Sequence, residues 1–163
     1  MAAPAASRPQ SISAVNTGTV EGYAFQHVSI GNPQCAIRID TTDELEAIDL
    51  ADIGPRIEHA PQFPNRTNTS FWTELAPGAI RARIFERGAG ETLSSGTGAC
   101  GAAVAHVLRG GETPVTVHLD GGELEVDVDE SLHVDLTGWA VPVFTGEFIR
   151  SDETSRAVPP SGR

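Results

Sequence analysis

Residues 85–104 read FERGAGETLSSGTGACGAAV: a strand-like start, a Gly-rich turn and the opening of an Ala-rich helix. From Thr97 the helix continues to Arg109 as TGACGAAVAHVLR, small or apolar on nearly every side until His106 and Arg109. A helix with no polar face is a buried helix, so these residues predict one at the centre of the molecule. Its Gly and Ala residues let neighbouring backbone come close. The first N–H groups of a helix have no partner within it, and the helix dipole places partial positive charge there. Ser94-Ser95-Gly96-Thr97-Gly98 therefore reads in two ways. It is a cradle for a carboxylate or phosphate, or a plain cap in which a Ser or Thr hydroxyl satisfies the helix start. No Lys follows the glycines, which excludes a Walker loop, and no parallel βαβ pattern surrounds them, which excludes a dinucleotide fingerprint.

Outward from this helix the apolar pattern has a period of two. Strands are expected over residues 23–30, 35–40, 68–75 and 80–87, each rich in β-branched or aromatic residues and bounded by Gly, Pro or Asn. Four more are expected over 115–120, 123–129, 132–137 and 140–148, with Gly121-Gly122 marking a two-residue hairpin. Short loops imply antiparallel neighbours. A surface helix is expected over 49–58, where Leu50, Ile53 and Ile57 share one face, with Pro55 splitting or ending it. The fold class is α+β: a barrel-like, mostly antiparallel sheet around one central buried helix.

Residues 1–21 are rich in Ala, Ser, Pro and Thr and read as a flexible leader; 150–163 read as a disordered tail. The folded part, 22–149, is large enough for a single core. With 22 acidic and 11 basic residues the net charge is −11, which opposes binding to nucleic acid or to anionic lipid. The first residues have no signal-peptide pattern and no apolar run is long enough to span a membrane, so a cytoplasmic protein is expected. Cys35 and Cys100 have no metal-ligand spacing and read as buried thiols.

Three ordered segments give a more specific reading. ERGAGET followed by a turn and GTGAC (residues 86–100), the Ile30-Gly31-Asn32-Pro33-Gln34-Cys35 segment, and FPNRTNTSF (residues 63–71) resemble the second-lobe motifs of the diaminopimelate epimerase family. That resemblance implies one lobe of a two-lobe fold, with the active site between the lobes. It implies inversion of an amino-acid α-carbon with neither pyridoxal phosphate nor metal, by one cysteine from each lobe. A thiol has a pKa of about 8.5, which a helix N-terminus lowers toward neutrality, so it can serve as base on one face and acid on the other. By the same resemblance Gly96 and Thr97 hold the α-carboxylate. Asn32, Asn68 and Arg87 recognise the distal end of a small diaminopimelate-like substrate, and Glu86 lies near the reacting centre.

The sequence departs from the family pattern twice. Ser95 stands at the position of the lobe's catalytic cysteine, and a serine hydroxyl needs an adjacent base to activate it. The histidine that closes the family's GNPH segment is Gln34 here, which takes no proton. Cys100 lies about 1.4 turns into the helix and is expected to be buried. The first lobe has no counterpart in these residues. Three arrangements follow: an isomerase completed by a separate first-lobe chain, with Ser95 and a supporting Glu86 in its site; a non-catalytic amino-acid-binding module; or a domain remnant that pairs with itself as a homodimer.

Overall fold

The structure is a computed structural model that describes residues 10–11 and 15–148. Its ten strands are β1 (Gln10–Ser11), β2 (Val15–Val20), β3 (Tyr23–Ser29), β4 (Pro33–Arg38), β5 (Asn68–Ala76), β6 (Ala79–Glu86), β7 (Gly90–Thr92), β8 (Val115–Leu119), β9 (Gly122–Val128) and β10 (His133–Thr137). Helices α1 (Thr42–Glu46) and α2 (Leu50–Glu58) lie between β4 and β5, and α3 (Gly96–Val107) between β7 and β8. The strands form one sheet in the order β1-β10-β9-β8-β6-β5-β4-β3-β2, with β7 paired to β6.

Neighbours are antiparallel except β4 with β5 and β6 with β8. Both exceptions have one cause. A parallel pair needs a crossover, and here α1 and α2 supply the first and α3 the second. The crossovers build two cores on opposite faces of the sheet. On one face α3 packs Ala99, Cys100 and Ala102 to Ala105 against Ile80, Ile84, Val117 and Val126. On the other, Leu45, Leu50, Ile53 and Ile57 of α1 and α2 pack against Cys35, Ile37 and Phe71. Side chains alternate along a strand, so Phe71 enters one core and Trp72 the other. This is why β5 is buried continuously from Asn68 to Thr73 rather than on one side only. Each fully buried Leu, Ile or Phe in these cores contributes roughly 1.5–3 kcal/mol relative to exposure.

The expected central helix is present, with nine residues buried from Gly98 to His106. Strand comes so close to it that a Cβ on Gly98 would lie 2.6 Å from Ile84 Cδ1, and one on Gly101 2.8 Å from Gln34 Cβ. The expected antiparallel hairpin joins β8 and β9, but its turn residues are Asp120 and Gly121, since Leu119 pairs with Gly122. Pro55 does not split α2, which runs unbroken from its Asp49 cap to Glu58.

Three expectations need correction. The leader does not extend to residue 21: β2 occupies Val15–Val20 and pairs along β3, while residues 1–9 and 12–14 lie outside the described residues. The reading missed β2 because VNTGTV offers apolar side chains only at its ends. Helix α1 was not expected either; it is five residues long and buries one side chain, Leu45. No strand forms over 140–148: the chain there is irregular, with Val143 90% and Phe144 86% exposed. The alternating pattern is real, but no neighbouring strand among the described residues lies against it. The tail expected over 150–163 lies outside the described residues.

Candidate functional site

The site is built where β6 ends and α3 begins. Strand β7 folds back on β6, with Glu86 opposite Gly90, and the turn between them places Gly88 at a φ of +77°, a conformation that favours glycine. The chain then passes Leu93, whose carbonyl accepts the Gly121 N–H at 2.6 Å. That bond anchors the approach to the helix on the β8–β9 hairpin. Ser95 follows as the N-cap of α3, extended at φ −133° and ψ 115°.

Ser95 serves both ends of this junction. Its Oγ accepts the Gly98 N–H at 3.2 Å, and its hydroxyl donates to the Glu86 carboxylate. The Ala99 N–H reaches the Ser95 carbonyl. The N–H groups of Gly96 and Thr97 have no acceptor among the described residues, so two donors at the positive end of a buried helix remain open. Thr97 Oγ1 accepts from Asn32 at 3.2 Å, leaving its own proton free for a ligand, and Asn32 Oδ1 accepts from Gln34 at 2.8 Å.

These groups face a groove of about 340 Å³ lined by Glu86, residues 94–97, Cys100, Val134 and Leu136. Leu136 sits so close that a Cβ on Gly96 would lie 2.9 Å from its Cδ2. The apolar wall from β10 was not foreseen; Val134 and Leu136 carry no chemical signature and are far away in sequence. Cys100 reaches the groove but is 5% exposed, and burial pushes its thiol up to about 12. Burial raises the Cys35 thiol further, on the other core. Neither is a ready base.

The sequence-derived site residues thus divide into two groups. Glu86, Ser95, Gly96 and Thr97 meet in the groove, with Asn32 attached through Thr97. Asn68 and Arg87 form a second group next to the β6 terminus, outside the groove lining. There the Asn68 Oδ1 accepts the Arg87 backbone N–H at 2.8 Å, and the Arg87 guanidinium donates to the Asn65 carbonyl at 2.8 Å. Arg87 is exposed and does not line the groove with the cradle. Arg87 follows β6 as the first residue of the turn to β7, outside the strand itself. Among the described residues no group of three or more His, Cys, Asp or Glu is placed to hold a metal ion. Among the described residues, too, no helix is long and apolar enough to cross a membrane.

The family model for diaminopimelate epimerase matches residues 26–143, which include both strands of the groove and all of α3. The chain belongs to the diaminopimelate epimerase family. A diaminopimelate epimerase of Desulfovibrio desulfuricans is 51% identical over 128 residues, covering 77% of this chain and 44% of that protein. One from Synechococcus sp. strain JA-3-3Ab is 49% identical over 126 residues, covering 76% and 44%. The chain therefore spans less than half the length of these epimerases. Among solved structures, a putative phenazine biosynthesis PhzC/PhzF protein of Clostridium difficile gives a TM-score of 0.43 at 19% identity, over 77% of this chain and 41% of that one. That likeness is too distant to bear on the site.

Proposed function

We propose that this chain is the second lobe of a cofactor-independent epimerase that interconverts LL- and meso-diaminopimelate in lysine and peptidoglycan precursor synthesis. The first lobe lies outside these residues. The observation that carries this reading is the pair of open N–H groups on Gly96 and Thr97 beside the Glu86–Ser95 hydrogen bond. The open donors take the substrate α-carboxylate and stabilise the negative charge that develops when the α-proton leaves. Asn32 and Thr97 fix the rim of that cradle, while Asn68 and Arg87 meet the distal end of the substrate.

Ser95 alone is too weak a base, but Glu86 changes what it does. As the serine oxygen takes the α-proton, its own proton passes along the existing hydrogen bond to Glu86, so the net acceptor is a carboxylate. In the reverse sense a protonated Glu86 refills the hydroxyl that protonates the carbanion. A thiol from the first lobe acts on the opposite face. A carboxylate is a poorer base than a thiolate, so this relay is slower than a pair of cysteines.

A surface for the first lobe is supported by residues 139–148. They expose Trp139 (65%), Val143 (90%), Phe144 (86%) and Phe148 (92%), a contiguous apolar run of the kind that marks an interaction site. The second reading, a binding module without turnover, is favoured by the Ser95 hydroxyl being fully engaged, its proton on Glu86 and its oxygen on Gly98.

One experiment separates the two. The chain is combined with the first half of the Desulfovibrio desulfuricans relative, and co-elution establishes assembly. Loss of the α-hydrogen of LL-diaminopimelate is then followed in deuterated water. Exchange is expected in the mixture only, and Ser95→Cys should accelerate it. An assembled pair that exchanges nothing, with serine or with cysteine, leaves only the binding module.

A further inference from the structure

At the far end of α3, away from the cradle, a second cavity of about 120 Å³ opens between the helix C-terminus and strands β4 and β5. Its walls include Trp72 and His106, which are 1% and 2% exposed. Trp72 Nε1 and His106 Nε2 are both buried without a hydrogen-bond partner. Buried polar atoms are seldom left so, and an orphan on a cavity wall indicates what the cavity holds. An indole N–H only donates, so its missing partner is an acceptor.

The charges around the cavity define that acceptor further. Arg38 from β4 and Arg109 from the end of α3 line it, and neither forms an ion pair among the described residues. Glu74 is the acidic residue lining the rim, and Glu112 lies within electrostatic reach of His106. A helix C-terminus ordinarily repels anions through its open carbonyls, but here several of them are occupied. His106 O accepts from Arg109 and Gly111, and Val107 O accepts from Gly110. Gly111 packs so tightly over the imidazole that a Cβ there would lie 2.2 Å from His106 Nε2.

We propose that this cavity is a binding site for one small oxyanion, a phosphate or carboxylate group. The Trp72 N–H donates to it, His106 adds a second donor when its proton sits on Nε2, and Arg38 and Arg109 supply the opposing charge. The site is separate from the diaminopimelate cradle and stands or falls independently of it.

The indole N–H signals of the full chain test this, since it has two tryptophans and Trp139→Phe assigns them. Inorganic phosphate and acetate are titrated separately at constant ionic strength, with chloride as the balance. The Trp72 signal should shift and saturate while Trp139 stays still. Arg109→Gln should weaken the apparent affinity about tenfold, as loss of a charge-assisted bond does, and Glu74→Gln should tighten it. Saturation by phosphate alone assigns the site to phosphate groups, and saturation by acetate assigns it to carboxylates. Both substituted side chains are exposed, so the fold is kept, and an unchanged ligand-free Trp72 signal verifies that. A Trp72 signal that ignores both anions, or a shift untouched by Arg109→Gln, overturns the proposal and leaves a cavity for ordinary water.

Discussion

The hydroxyl of Ser95 gives its one proton to the Glu86 carboxylate while its oxygen accepts the N–H of Gly98, three residues into α3. One side chain thereby joins the last residue of β6 to the first turn of the buried helix. The position that the family resemblance assigns to chemistry is here also a structural cap.

Ser95→Ala removes that cap and leaves the Gly98 N–H without its acceptor. Loss of a Ser cap costs about 1 kcal/mol, within a range of roughly 0.5–2. Urea unfolding should show a lower midpoint with an unchanged slope. An unshifted midpoint would mean that the cap contributes nothing.

Gly98→Ala should cost more. The new Cβ would meet Ile84 at 2.6 and 2.8 Å, and Ile84 is itself packed in the core. Overpacking of this kind costs about 1–3 kcal/mol. Gly101→Ala, pressing on Gln34 Cβ at 2.8 Å, belongs to the same class. Thermal melts of the two variants check the prediction, and a variant as stable as the parent would show that helix and strand can separate at no cost.

Acid should weaken the fold before its carboxylates titrate. Burial lowers the pKa of His106 below 6.5, opposed by Glu74 and Glu112 and reinforced by Arg38; burial also lowers that of His27. In each case the unfolded chain binds the proton more readily than the folded one. The resulting stability is complete above about pH 6.5 and is lost as the pH falls below it. Denaturant midpoints measured between about pH 7.5 and 5.5 should fall with pH, and His106→Gln should flatten the slope. A flat profile for the parent protein contradicts the assignment.

Arg87 does not line the groove that holds the cradle, so the two should contribute separately. In a calorimetric titration Arg87→Ala should reduce affinity for diaminopimelate by about tenfold, the loss of one charge-assisted bond. Affinity for alanine, which has no distal group, should be unaffected. Equal losses for both ligands would place the arginine at the α-carboxylate instead.

The parts of this fold that could be read from sequence are those set by local pattern. Helix α3 was legible because residues 97–105 carry no charge on any face, and the cradle because Ser-Ser-Gly-Thr-Gly precedes them. What could not be read depends on partners distant in the chain. Val134 and Leu136 close the groove from a strand whose position only the completed sheet fixes. The two parallel pairings depend on which faces α1, α2 and α3 cover. Residues 140–148 have a strand's pattern, but a pattern does not form a strand without a neighbour to bond with.

The amide signals of Gly96 and Thr97, followed while meso-diaminopimelate is titrated into the isotope-labelled chain, test the carboxylate cradle most directly. Both should move downfield together and saturate, as N–H groups do on bonding a carboxylate, with Gly98 unmoved because Ser95 already holds it. If those two signals stay fixed while others respond, or if nothing responds, the helix start is only a cap and the site proposed for this lobe is not there.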